Sequence, residues 1–174
     1  MTELVLPKID KAIINKKEFI FKKLAKLINP ENVLSHADEI KPYETDALAA
    51  YKQTPLAVVM PENTEEVSSI LKFCSDENIK VVPRGAGTGL SGGALPLQDA
   101  ILLSLGKFNK ILEIDFENKC VVTQPGVTNL GITDAVQHRD FYYAPDPSSQ
   151  LACSIGGNVA ENSGGVHCLK YGLT

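Results

Sequence analysis

Gly85, Gly87, Gly89, Gly92 and Gly93 follow one another with only Ala86, Thr88, Leu90 and Ser91 between them. Side chains this small have almost nothing to bury, and glycine loses the most backbone freedom on ordering. Such a run has a use where backbone N–H groups must approach an anion closely, along a path that other residues refuse. The hydroxyls of Thr88 and Ser91 add hydrogen-bond donors. The chemistry this points to is a loop wrapped around a phosphate or pyrophosphate. The other reading, a flexible Gly/Ser linker, fits poorly between two short apolar runs. Arg84 stands directly before the glycines. It either places a charge near the pyrophosphate or the loop backbone, or forms a salt bridge that holds the loop on a strand end.

A second region of small residues follows downstream. It reads Ala144-Pro145-Asp146-Pro147-Ser148-Ser149-Gln150, then Ser154-Ile155-Gly156-Gly157-Asn158, then Asn162-Ser163-Gly164-Gly165. Ile155 and Val159 are four apart, which predicts a short helix starting at Ser154 with its amino end toward an anion. Two such loops suggest two walls around one elongated ligand.

Familiar nucleotide loops fit poorly. Gly87-Thr88-Gly89-Leu90-Ser91-Gly92 matches G-x-G-x-x-G, and Glu113 lies about twenty residues on, as in the dinucleotide fingerprint. That loop must open directly into a helix, whereas Gly93-Ala94-Leu95-Pro96 follows here and proline does not sit inside a helix. No Gly-Lys-Ser/Thr is present for a Walker A loop.

The elements that must hold these loops are legible from periodicity. Residues 6–28 carry Phe21, Leu24, Leu27 and Ile28 at helical spacing with lysines between them, and Asn29-Pro30 ends the helix. This basic amphipathic helix has two open readings: a contact with a membrane surface, or a packed helix with a solvated lysine face. Residues 33–51 read as irregular. Residues 56–60 predict a buried strand. Thr64 is the expected N-cap of a helix with Val67, Ile70, Leu71 and Cys74 on one face, closed at Asn78. Residues 79–82 predict a second strand, so this is a parallel βαβ unit. The glycine loop then leaves the carboxyl end of a strand, where such sheets bind ligands. Further strands are expected at 100–105, 111–115 and 120–124, the last two joined as a hairpin, and a helix from Thr128 to about His138.

Composition narrows the function. The net charge of −4 argues against nucleic acid as a partner, since neutralising phosphates needs a basic excess. No apolar run of about 18 residues spans a membrane, and the N-terminus lacks the features of a secretory signal. The expected location is the cytoplasm, with the inner membrane face as the peripheral site if the lysine helix binds lipid. Cys74, Cys120, Cys153 and Cys168 show no C-x-x-C spacing, so free thiols are expected. A zinc site from Cys153, His167 and Cys168 fits no common ligand spacing, and no metal is expected.

The segment Pro83-Arg84-Gly85-Ala86-Gly87-Thr88-Gly89-Leu90-Ser91-Gly92-Gly93 resembles the pyrophosphate loop of the vanillyl-alcohol oxidase and p-cresol methylhydroxylase superfamily of FAD enzymes. The run from Asp146 through Gly165 resembles that family's second flavin-binding segment, and the likeness continues through Val166-His167-Cys168-Leu169-Lys170-Tyr171-Gly172-Leu173-Thr174. Within the superfamily it narrows to the FAD subunit of glycolate oxidases and to FAD-linked D-lactate dehydrogenases. The resemblance covers roughly position 40 onward.

It implies an α+β, two-part FAD-binding domain of the p-cresol methylhydroxylase type. A small βαβ parallel-sheet subdomain would be followed by a truncated second α+β subdomain, with residues 1–50 as an N-terminal helical segment and 51–174 as the flavin domain. FAD would be bound by Arg84, Gly85, Ala86, Gly87, Thr88, Gly89 and Ser91. From the second segment Pro147, Ser148, Ser149, Ser154, Gly156, Gly157, Asn158, Asn162, Gly164 and Gly165 would join them. The flavin is expected to be noncovalent, because Thr88 stands where some relatives attach it through histidine. The implied substrate is a small 2-hydroxy acid, glycolate or D-lactate, with electrons passing to an iron–sulphur subunit. Such a substrate needs a cation for its carboxylate and a base for its hydroxyl proton. Arg84 and Arg139 are the only arginines, and neither reads as a clamp. Asp146 is the best local carboxylate, but its position between two prolines suits capping a turn. The family's substrate domain does not follow before Thr174, so the chain is expected to be a fragment, a truncated product or one piece of a split protein. The alternative function is a non-catalytic nucleotide-binding or interaction module.

Overall fold

A computed structural model describes residues 7–174. The single helix expected over 6–28 is two helices, α1 (Lys11–Asn15) and α2 (Lys17–Leu27), and Leu6 lies outside the described residues. The break falls at Lys16, φ −91° and ψ 4°. Ile13, Ile14 and Asn15 before it are weaker helix formers than the Lys-, Leu- and Ala-containing stretch after it. Ile20 and Leu24 of α2 are fully buried, while Lys17, Lys22, Lys23 and Lys26 are exposed. This is a packed helix with a solvated lysine face.

The stretch expected to be irregular contains β1 (Val33–Leu34), α3 (Ala37–Ile40) and a 3-10 turn, Lys41–Tyr43. Two strand residues are too few for a periodic signal. β1 pairs antiparallel with β2 (Ala57–Val59), Val33 opposite Val59. α4 (Thr64–Asp76) begins one residue earlier than expected: Asn63, not Thr64, is its N-cap, with Asn63 Oδ1 accepting from the Glu66 amide at 2.8 Å. Asparagine outranks threonine in that role. Asn78 closes the helix in a left-handed conformation, φ 55°.

β3 (Lys80–Arg84) and β4 (Ala100–Ser104) complete a four-stranded sheet in the order β1-β2-β4-β3. β4 lies between β2 and β3 and runs parallel to both. All five of its residues are buried, because both faces of the strand are covered. Alternation then sorts the side chains. Ala57, Val59, Ile101 and Leu103 meet Ile20, Leu24, Ile70 and Cys74 on one face. Val58 and Leu102 meet Ile40, flanked by Leu34, Tyr43 and Met60, on the other.

The second part is a separate antiparallel hairpin of β5 (Ile111–Asp115) and β6 (Cys120–Thr123) with three helices. α5 (Asn129–Val136) is capped by Thr128 Oγ1, which accepts from the Gly131 amide at 3.0 Å, and passes into a 3-10 turn, Gln137–Arg139. α6 (Ile155–Glu161) starts after Ser154, as expected. A short α7 (Cys168–Tyr171) follows it, without a sequence signal. A bridge between Thr128 and Ser154 joins the starts of α5 and α6.

Candidate functional site

Adjacent parallel strands need a connection long enough to return to the starting edge, and it is usually a helix. Between β3 and β4 that connection is the glycine loop itself, residues 85–99, with no helix in it. Its conformation is fixed from below. Arg84 Nη1 donates to the Thr45 carbonyl at 2.7 Å and to the Ala94 carbonyl at 3.5 Å. The Ala47 amide donates to the Gly87 carbonyl at 2.9 Å. Gly87 adopts φ +72°, and a Cβ there would stand 2.6 Å from Arg84 Cζ. Only glycine satisfies both demands. Arg84 therefore holds the loop on the strand end through carbonyls rather than through a salt bridge. Burial pulls its pKa below the usual guanidinium value, opposed by the charges of Asp46 and Tyr43. Its guanidinium lies 5.7 Å from the centre of the Tyr43 ring.

The two small-residue regions come together. A Cβ on Gly85 would collide with Ser154 Oγ and stand 3.8 Å from the Gly157 nitrogen. Six residues on, Ser91 Oγ donates to Glu161 Oε2 at 3.2 Å. Thus α6 lies along the loop, its first turn at Gly85 and its last residue at Ser91. Ala86 is exposed and Thr88 and Gly89 half-buried along the same stretch.

Within α6 the adjacent glycines differ. The Gly156 amide donates to the Pro125 carbonyl at 2.8 Å, and a Cβ there would meet Pro125 Cβ at 2.6 Å. Gly157 meets only Ser154 Oγ, at 3.2 Å from its own Cβ position. Asn158 is 1% exposed, and its Nδ2 has no partner among the described residues. Pro147, Ser148 and Ser149 form the turn that leads into Ser154, with the Ser149 carbonyl accepting from the Ala152 and Cys153 amides at 2.8 Å. Asn162 ends α6 in a left-handed conformation, φ 52°. Gly164 packs on Leu173 and Gly165 on Asp146.

Asp146 does not cap its own turn. Its Oδ1 accepts from the His167 amide at 3.4 Å, and its Oδ2 lies 3.4 Å from His167 Nδ1, which is also 3.2 Å from the Ala144 carbonyl. Tyr142 donates to the Tyr171 hydroxyl beside them at 3.1 Å. Hydrogen bonds from Lys170 and Tyr142 draw the Tyr171 hydroxyl below the usual phenol range. Arg139 covers the Phe116 ring at 5.2 Å. All four cysteines are free thiols, and no group of three or more His, Cys, Asp or Glu side chains gathers among the described residues.

Two features of the site are not assigned a role by the sequence. One is the wall under the glycine loop, formed by Tyr43, Thr45, Asp46 and Ala47. Asp46 is 5% exposed, its Oδ1 accepting from the Leu48 amide at 2.9 Å. The other is Glu161. Both act through contacts about forty and seventy residues away in sequence, which spacing does not reveal.

A family model described as FAD binding domain matches residues 55–174. The chain belongs to that family. Over 142 residues it is 58% identical to the glycolate oxidase subunit GlcD of Escherichia coli strain K12, covering 82% of this chain and 28% of that protein. Over 150 residues it is 39% identical to a D-lactate dehydrogenase of Anaerostipes hadrus, covering 86% of this chain and 31% of that one. The fold matches that of p-cresol methylhydroxylase with substrate bound, at a TM-score of 0.74 and 24% identity over 92% of this chain and 32% of that one. The chain therefore spans less than a third of the curated relatives it matches. The expected FAD-binding family, its likeness to glycolate oxidase and D-lactate dehydrogenase and its α+β fold are borne out, and the cofactor of the domain is FAD. The residues fit it: the glycine loop and the start of α6 meet at Gly85 and Ser154, and Asn158 holds a buried donor that needs an acceptor.

Proposed function

We propose that this chain forms the pyrophosphate walls of a noncovalent FAD site in an oxidoreductase that converts a 2-hydroxy acid to a 2-oxo acid. Glycolate is the first substrate and D-lactate the second, following the GlcD and D-lactate dehydrogenase relatives. The observation that carries the reading is the meeting of Gly85 with Ser154 and Gly157. Backbone amides of Gly85, Ala86, Gly87, Thr88 and Gly89 face the ligand from one side in this scheme, and the Asn158 side chain from the other, since Ser154 already holds the Gly157 amide at 3.3 Å and the Asn158 amide at 2.9 Å. Pro147, Ser148, Ser149, Asn162, Gly164 and Gly165 shape the approach to the second wall. Arg84 contributes its charge from beneath the loop, without leaving Thr45. When bound, FAD supplies a hydride acceptor for the carbon that bears the substrate hydroxyl. Electrons then leave to an iron–sulphur subunit. No helix among the described residues is long and apolar enough to cross a membrane; peripheral attachment to an anionic inner-membrane face would rest on the exposed lysine charge of α2 alone, because its apolar face is in the core.

Calorimetry with FAD, FMN and NAD tests the site, followed by denaturation of the loaded protein in urea. FAD should bind most tightly, and urea should release all of the flavin, since the Thr88 hydroxyl cannot form the histidyl bond. Tighter NAD than FAD would overturn the pyrophosphate reading. Yellow colour retained by the denatured chain would overturn the noncovalent one.

A further inference from the structure

Glu161 is the last residue of α6, yet its carboxylate is seated on the other loop. Oε2 receives the Ser91 hydroxyl at 3.2 Å. Oε1 lies 3.2 and 3.1 Å from where a Cβ would stand on Gly89 and Gly93, so two of the glycines leave room for it. No cationic side chain pairs with Glu161 among the described residues. The end of a helix is a poor place for a carboxylate, because the last carbonyls present negative charge there. The helix itself gains nothing from Glu161 at this position, and the contact that explains it is Ser91. Among the described residues no loop amide donates to the carboxylate; its one hydrogen bond is from a hydroxyl. The amides that a phosphate would need are left free. At the other end of α6, Gly85 packs against Ser154, so the helix is fastened to the loop at both ends.

We propose that Glu161 is a positioning residue, a latch that sets the spacing between the glycine loop and α6 and thereby the width of the cleft that receives a pyrophosphate. The inference rests on the reading that FAD binds between these two walls. The latch itself is a property of the flavin-free protein. Ser91, on this account, serves the latch and not the phosphate.

The test compares wild type, S91A, E161A, E161Q and the S91A/E161A double variant by two measurements. One is hydrogen exchange of residues 86–93 without flavin, and the other is FAD affinity by fluorescence titration. Loss of one hydrogen bond should weaken FAD binding by about fivefold in S91A and in E161A, with faster exchange in the loop. The double variant should be no worse than either single one. E161Q should stay close to wild type, because its amide oxygen still accepts from Ser91. Additive losses, or a Gln variant as impaired as the Ala variant, would overturn the latch. So would tighter FAD binding by E161A, which would make the carboxylate a stand-in for phosphate. Should E161A fail to fold, S91A and E161Q carry the comparison. If wild type takes up no FAD, the site reading fails while the exchange pattern still judges the latch.

Discussion

Gly156 and Gly157 are neighbours with different constraints. Gly156 is pressed against Pro125, so any side chain there displaces backbone, whereas a Cβ on Gly157 would meet only the Ser154 hydroxyl, at 3.2 Å. A substitution at Gly157 therefore tests binding with less risk to the fold. Gly157→Val places a β-branched side chain where the second wall should meet phosphate, and FAD affinity should fall by a hundredfold or more, about 2.7 kcal/mol. Lys23→Ala alters only the solvated face of α2 and should leave affinity within about twofold. Flavin titration of both variants, with circular dichroism to check folding, makes the comparison; equal losses would mean that α6 is not a binding wall. The same reasoning gives Arg84 its place. Its Nη1 donates to the Thr45 carbonyl at 2.7 Å and reaches the Ala94 carbonyl at 3.5 Å, so the charge lies beneath the loop and its nearest contact is a carbonyl that fixes the loop's path.

Asp99 ties three elements together. It is 3% exposed, receives Lys80 Nζ of β3 at 2.7 Å, and accepts from the amide of Asp10, the N-cap of α1, at 2.7 Å, at the head of β4. Burial works against its charge, yet the bonds from Lys80 and Asp10 hold its carboxyl below the usual carboxylate range. A carboxyl that titrates lower folded than unfolded adds stability above its unfolded value of about 3.9, and that contribution is lost as pH falls through the folded value. Asp99→Asn should therefore lower the urea midpoint at pH 7, and the gap to wild type should narrow below about pH 4. A gap that stays constant from pH 7 to pH 3 would show that the charge is not what matters. Which elements were legible follows from the same distinction between local and distant contacts. The β2-α4-β3 unit and the start of α6 carry their signals in adjacent residues: an apolar run, a helical face, a serine before Ile155. The placement of β4 between β2 and β3 has no local signal, since nothing in Ala100–Ser104 says which neighbour it takes. β1 is fixed by pairing with β2 rather than by its own pattern. The glycine loop was readable as an anion loop, but its support by Thr45 and Ala47 was not, because an arginine's partner is chosen by the fold and not by spacing.

The surface differs between the two parts of the molecule. The central strands of the sheet bury their apolar residues on both faces, whereas Leu151, Val159, Val166 and Leu169 of the second part are 64–100% exposed. A groove of about 360 Å³ in that part is lined by Ile114, Val121, Ile132, Val136 and Ile155, with Val159 at its wall. The chain spans less than a third of the relatives it matches. The chemistry is short of parts as well. Arg84 holds the loop through Nη1 and Arg139 lies over Phe116, so each arginine already has a structural contact. Asp146, the nearest candidate base, is engaged by His167. Positioning of reactants supplies about 7–11 kcal/mol of a barrier, which is several powers of ten in rate. A flavin held by two backbone walls, with no clamp for the acid, lacks most of that. The 174-residue chain with added FAD and an artificial electron acceptor should therefore show no measurable oxidation of glycolate or D-lactate, and its affinity for FAD should be weak. Robust turnover by this chain alone would refute the argument and would turn attention to Asp146, His167 and Tyr143 as the proton acceptor.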